Sequence, residues 1–153
     1  MTSRNSPPQQ LVTFRTGDYL LGIDVLHVQE VLKHQKMTDV PLAPEEVKGL
    51  INLRGHIVTA IGMRERLRLD PAPDPTEQMN LIVSLRDGAA SLVVDAVGDV
   101  INVDPKRYKS RPGSLRAPLR DLVTGVYQLE KGLLLHINPE NVCTLMEEEA
   151  HAH

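Results

Sequence analysis

The sequence predicts a mostly β protein made of two similar halves, with one or two short helices. Three observations carry that expectation. Four pairs of short runs rich in Val, Leu and Ile are each joined through a turn that contains or adjoins a glycine. A stretch of the first half, Val47 to Leu67, slides forward by 76 positions onto Val123 to Cys143 without a gap. Aromatic residues are so few, one Phe, three Tyr and no Trp, that a core must be built from Val, Leu and Ile.

Residues 1–10 form a polar, proline-containing tail and residues 147–153 an acidic one, so the folded part is expected over 11–146. LVTFRT and YLLGID, separated by Gly17 and Asp18, read as the first hairpin, since a Gly-Asp pair suits a tight turn. Asp24 then stands where a helix N-cap would, before VLHVQEVLKH, in which Val25, Val28, Val31 and Leu32 share one face at helical spacing. The β-branched residues make this helix short. Pro41 and Pro44 break the chain, and VKGLINL with HIVTAIGM forms a second hairpin through Arg54 and Gly55. RERLRL reads as one helical turn, and DPAPDPT, residues 70–76, is an extended linker and the best internal boundary. NLIVSLR and ASLVVDAV give a third hairpin turning at Asp87 and Gly88, and TGVYQL and GLLLHI a fourth turning near Lys131 and Gly132.

The repeat supports two β-rich halves. It matches Val47 with Val123, Gly49 with Gly125, Leu53 with Leu129 and Ile61 with Ile137, and places Leu50, Ile57 and Val58 on apolar partners. Upstream, LLGIDVL and SLVVDAV correspond in the same order, with Asp24 equivalent to Asp95. A glycine inside a strand marks a bulge or the close approach of another backbone, so Gly49 and Gly125 read as a requirement of the fold. Asp24 and Asp95 each follow a strand, and capping explains both better than a paired-acid catalytic site.

Composition excludes several functions. At 153 residues, 41% hydrophobic and 24% charged, the chain can bury a core. A formal charge of −3 gives no global field for nucleic acid. The single Cys143 permits neither an internal disulfide nor a multi-cysteine zinc site. His27 with His34, and His151 with His153, fall short of a zinc ligand set, so no metal or other cofactor is expected. No window has the roughly 18 consecutive apolar residues of a membrane span, and no secretory h-region opens the chain, so membrane insertion is not expected and a cytoplasmic setting is. No nucleophile elbow or phosphate loop appears, so the chain is not expected to be an enzyme.

The runs GIDVLHVQEVL, VP-x-AP, VKGLINLRGHIV followed by Arg64, LVVDAVGDVI and TGVYQL with LLLHI resemble the CheW-like domain family over nearly the whole ordered chain. The resemblance implies two five-stranded SH3-like β-barrels side by side. It implies a non-catalytic adaptor that couples chemoreceptor signalling tips to the CheA histidine kinase in chemotaxis, beside membrane receptor arrays. With about ten residues before the domain and seven after it, a single-domain adaptor is the fitting member.

For individual residues the resemblance implies a receptor-binding groove formed by Val28, Glu30, Gly49 and Arg54, with Val97 and Val100 as its facing wall. Arg54 reads either as a turn arginine pointing into solvent or as the partner of Glu30 on a docking surface. The valine stripe reads as core, with Val28 closest to the groove. Asn52 satisfies a nearby backbone group. The segment KRYKSRPGSLRAPLR, residues 106–120, holds six Lys or Arg and no acid and reads as an extended surface loop. It is a solvated connection, or a patch of Lys106, Arg107, Lys109 and Arg111 for an anionic partner, the kinase or an inner-leaflet surface. A small-barrel protein binding nucleic acid or another polyanion through 106–120 is the alternative function, with only Tyr108 available for stacking.

Overall fold

The structure, a computed structural model, describes residues 10–143. Eleven strands form two sheets. In chain order they are β1 (Gln10–Thr16), β2 (Tyr19–Asp24), β3 (Val28–Leu32), β4 (Val47–Leu53), β5 (His56–Gly62), β6 (Met79–Leu85), β7 (Gly88–Val94), β8 (Ala96–Asn102), β9 (Tyr108–Lys109), β10 (Val123–Leu129) and β11 (Gly132–Ile137). Two one-turn helices, α1 (Met63–Arg66) and α2 (Leu119–Leu122), interrupt them. One sheet has the order β8-β1-β2-β11-β10-β9 and the other β3-β6-β7-β5-β4.

These orders are the same under the repeat. Each sheet joins an antiparallel hairpin (β1–β2, β6–β7) to a second hairpin (β11–β10, β5–β4) through a parallel pairing. The register repeats as well. Val47 pairs with Ile61 before a shift leads to Gly49 opposite Ala60, and Val123 pairs with Ile137 before a shift leads to Gly125 opposite His136. Both glycines therefore sit at bulges, as expected. A Cβ on Gly49 would meet the Thr38 carbonyl oxygen at 2.7 Å, and one on Gly125 would meet the Tyr108 ring. The strand that β9 adds to one sheet has a counterpart in the isolated Thr38–Leu50 bridge of the other, so the expected five strands become six on that side alone.

The main core lies between the sheets. Val12, Phe14, Leu21 and Ile23 from one meet Ile61, Leu81, Val83, Leu92 and Val94 from the other, all buried. Each sheet also encloses a smaller cluster, Leu11, Tyr127 and Leu134 in one and Ile51, Ala60 and Val93 in the other. Neighbours on one strand, Leu11 and Val12, thus serve different clusters, as the two-residue period of a strand dictates.

The chain departs from the sequence expectation at several points. Asp24 caps only a single 3-10 turn, Val25–His27, by accepting from the Leu26 N–H at 2.9 Å; the expected helix gives way to strand β3. Its valines pair along β6, Val28 opposite Val83 and Val31 opposite Leu81, so extended backbone suits their β-branched side chains better than a helix. Val25 and Val28 pack against the core while Val31 stands exposed. The turns of the last two hairpins lie one residue earlier than expected, at Arg86–Asp87 and Glu130–Lys131, with Gly88 and Gly132 opening the return strands at positive φ. The proline-rich stretch 70–76 is no boundary between sheets, since β5 and β6 flank it within one sheet. The chain changes sheet instead between β2 and β3 and between β7 and β8. The basic segment is not wholly a loop, because it contributes β9 and the start of α2. The tails 1–9 and 144–153, with His151 and His153, lie outside the described residues.

Asp95 is the other correction. It caps no helix but stands at the β7-to-β8 crossover, where its carboxylate collects donors from both sheets. It accepts from Arg64 Nε at 2.9 Å and Nη2 at 2.8 Å, from the Gly17 N–H at 2.8 Å and from Gln78 Nε2 at 3.3 Å. Burial disfavours the charged form, but the donors from Arg64 and Gly17 outweigh it and hold the Asp95 carboxyl below its ordinary value. Its stabilising contribution is therefore complete above the unfolded carboxyl range near pH 4 and is lost as the pH falls through the lower folded value. Asp95→Ala should cost about 1–3 kcal/mol in chemical denaturation, because it leaves Nε and Nη2 of the largely buried Arg64 without their acceptor. The difference between mutant and wild type should shrink below about pH 4.

Candidate functional site

The site is built on the β4–β5 turn. Arg54 and Gly55 both have positive φ, 52° and 88°, the signature of a turn whose twist matches that of its strands. Asn52 Oδ1 accepts the Gly55 N–H at 2.9 Å and fixes the turn, the role expected of Asn52. This backbone aims the Arg54 guanidinium at Glu30 on β3, with Nη2 2.5 Å from Oε1 and Nη1 3.5 Å from Oε2. Arg54 thus forms the turn and pairs with Glu30. The contact brings one edge strand of the five-stranded sheet to the turn of the hairpin at the opposite edge, so the sheet is curled toward a barrel. The hydrogen bond and charge of Glu30 hold the Arg54 guanidinium above its ordinary pKa.

A hollow of about 400 Å³ opens at this end of the curled sheet. It is lined by Gln29 and Glu30, by Ile82, by Gly88 and Ala89, and by the Leu53–Val58 hairpin end. Ile57 is 63% exposed at its rim. Apolar side chains, Leu53, Ile57, Val58 and Ile82, beside a charged pair have the make-up of a surface that receives an apolar side chain from a partner.

Of the six residues expected in the groove, the structure brings only Glu30 and Arg54 into this hollow. Val28 is half-buried against the main core, and Gly49 is packed against Met37 and Thr38. Val97 lines a different hollow, of about 580 Å³, with Phe14, Leu20, Ile101 and Leu129, while Val100 stands 53% exposed on β8. That second hollow is the equivalent open end of the other sheet: Leu129 and Glu130 stand there where the repeat puts Leu53 and Arg54. Ile57 and Leu53 were missed because a hairpin end reads as turn chemistry. The available signal was an isoleucine at Ile57, in the outward phase of β5, beside inward Val58.

Among the described residues, no group of three or more His, Cys, Asp or Glu could hold a metal ion, and no helix is long and apolar enough to cross a membrane. Tyr108, expected as the only stacking group for nucleic acid, is turned inward: its ring lies 5.0 Å from that of Tyr127 and its hydroxyl is within hydrogen-bond reach of Thr124 and His136.

Two sheets on one core, each with a hollow at a hairpin end, define a double-barrel β module. The chain belongs to the CheW-like domain family, which matches residues 10–146. It is 30% identical over 149 residues to the probable chemotaxis protein CheW of Rhizobium etli, across 97% of this chain and 96% of that one. It is 31% identical over 126 residues to the chemotaxis protein CheW of Treponema pallidum, across 80% of this chain and 74% of the relative. Among solved structures, the scaffolding protein TtCheW from Thermoanaerobacter tengcongensis shares the fold with a TM-score of 0.78 at 29% identity, covering 86% of this chain and 90% of that one.

The geometry separates structural from presented residues. Gly49 has φ +151° and no room for a Cβ, so Gly49→Ala should lower stability by about 1–3 kcal/mol in a denaturant titration. Arg54→Ala removes an exposed pair and should leave the melting temperature nearly unchanged. An equal loss of stability in both variants would overturn this division.

Proposed function

We propose that this chain is a non-catalytic adaptor of chemotaxis signal transduction, which couples the cytoplasmic signalling tips of chemoreceptors to a CheA-type histidine kinase beside membrane receptor arrays. The observation that carries the receptor side is the Glu30–Arg54 pair, which lines one hollow together with Leu53, Ile57, Val58 and Ile82. A receptor tip is a helical coiled coil, and a helix docks by placing an apolar anchor in such a hollow with polar contacts around it. An exposed ion pair adds little to folding, so its value lies in positioning and choosing the partner. The alternative function, nucleic-acid binding through 106–120, lacks support: its one aromatic residue is engaged in packing.

Purified wild type and Arg54→Glu, each checked by thermal melt, are tested against a receptor signalling-tip fragment and against the kinase regulatory domain at about 0.15 M salt. The variant should bind the receptor fragment at least about tenfold more weakly and keep its affinity for the kinase. The double exchange Glu30→Arg with Arg54→Glu restores an ion pair but reverses the charges presented, and should not recover receptor binding. Recovery in the double variant would reduce the pair to a structural brace, and undiminished binding by the folded single variant would remove Arg54 from the docking surface.

A further inference from the structure

His136 is a half-buried titratable group that lines neither hollow. It lies on β11, an interior strand of the six-stranded sheet, and faces a glycine on each side: Gly22 of β2 in the parallel pairing and Gly125 of β10 in the antiparallel one. It shares a face with Leu134, which pairs with buried Tyr127. The repeat puts Ala60 opposite Gly49 where His136 stands opposite Gly125, so the fold itself does not require a histidine there.

The Tyr108 ring of β9 fills the space over Gly125, where a Cβ would collide with it. It meets the His136 ring edge-on, with centroids 5.7 Å apart at 69°, and the Tyr127 ring at 5.0 Å. Two hydroxyls converge on one ring nitrogen: Thr124 Oγ1 stands 2.8 Å and the Tyr108 hydroxyl 3.2 Å from His136 Nδ1. In the neutral ring with its proton on Nε2, Nδ1 accepts from this pair. Protonation reverses that role, and both hydroxyl hydrogens must turn away from the ring. It also places a cation in a half-buried site.

The groups facing His136 favour the neutral ring. Burial pushes its pKa below the ordinary value, the Asp24 carboxylate at the end of β2 offsets this only in part, and His27 of the 3-10 turn adds to the depression. Tyr127 on β10, pushed up to about 12 by burial, stays neutral. Lys109, next to Tyr108 on β9, is exposed on the opposite face.

We propose that His136 is a proton-operated latch for β9: protonation of the imidazole releases the Tyr108 anchor and lets β9 part from β10 while the rest of the sheet stays intact. β9 is the element that yields most cheaply. It is an edge strand of two residues, paired to β10 at two positions, whereas β2, β11 and β10 each have a neighbour on both sides. Opening brings water to the imidazole, which then titrates at its ordinary value near 6.5. The open form is therefore favoured as the pH falls below that value, and the gain levels off below the lower value of the closed form. Lys106, Arg107 and Lys109 loosen with it, since they flank Tyr108.

The test follows hydrogen exchange of the full chain by mass spectrometry between about pH 8 and pH 5, corrected for intrinsic rates. In wild type, protection of the peptide that contains Tyr108 and Lys109 should fall by about threefold or more at the acid end, while β2 and β11 keep theirs. His136→Asn sets an amide in place of the Nδ1 edge and does not titrate, so it should hold β9 closed at the acid end. His27→Gln should leave the wild-type response in place. Should His136→Asn fail to fold, wild type carries the test: the His136 ring, followed by NMR, should titrate at the midpoint of the loss of β9 protection. Protection of β9 that is constant with pH overturns the proposal, as does a response that persists in folded His136→Asn, vanishes in His27→Gln or has a midpoint apart from that of His136. A loss shared by all strands overturns it in favour of global acid unfolding.

Discussion

The two-sheet arrangement depends on the carboxylate of Asp95. Two sheets that share one aliphatic core have no directional interaction to set their relative position, because hydrophobic burial is non-directional. Asp95 supplies the direction. It stands at the β7-to-β8 crossover and holds the Gly17 amide at the tip of β1–β2 on one side, and Arg64 of α1 with Gln78 before β6 on the other. Arg64 extends the bracing by donating to the Asp70 carbonyl at 2.9 Å, so the proline-rich stretch is held beside the crossover.

Much of the fold was legible in the sequence because hairpins and repeats are local signals. All four hairpins are present, and the 76-residue repeat predicts even the register shifts at Gly49 and Gly125. What the sequence did not reveal is non-local. The VLHVQEVL stretch has helical spacing, but the edge of β6 needs a partner strand, and pairing with it outweighs a weak helical preference. The two halves are expected to interleave, but the points at which the chain changes sheet are hidden. A proline-rich stretch marks extended backbone and carries no information on which sheet the flanking strands join.

The site was legible in part for the same reason. Glu30 and Arg54 carry charges in otherwise apolar surroundings and stood out. Val97 and Val100 belong to the other sheet, and no feature of the linear sequence reveals that a β8 residue faces β1 rather than β3. Ile57, the most exposed apolar residue of the hollow, is indistinguishable in composition from its buried neighbour Val58.

The repeat also shows how one architecture yields two unlike faces. Equivalent hairpin ends carry Arg54 in one sheet and Glu130 in the other, and the hollow beneath Glu130 is the larger. The corresponding strand additions differ too: a single Thr38 bridge flanks β4, while β9 flanks β10 and brings Lys106, Arg107 and Lys109 with it. The core positions stay apolar in both halves, although buried Ile51 of one corresponds to buried Tyr127 of the other. Divergence in charge falls at the hairpin ends and the outer strands, where it costs little folding energy. A two-barrel chain can thus alter the charge of either face without disturbing the core that joins them.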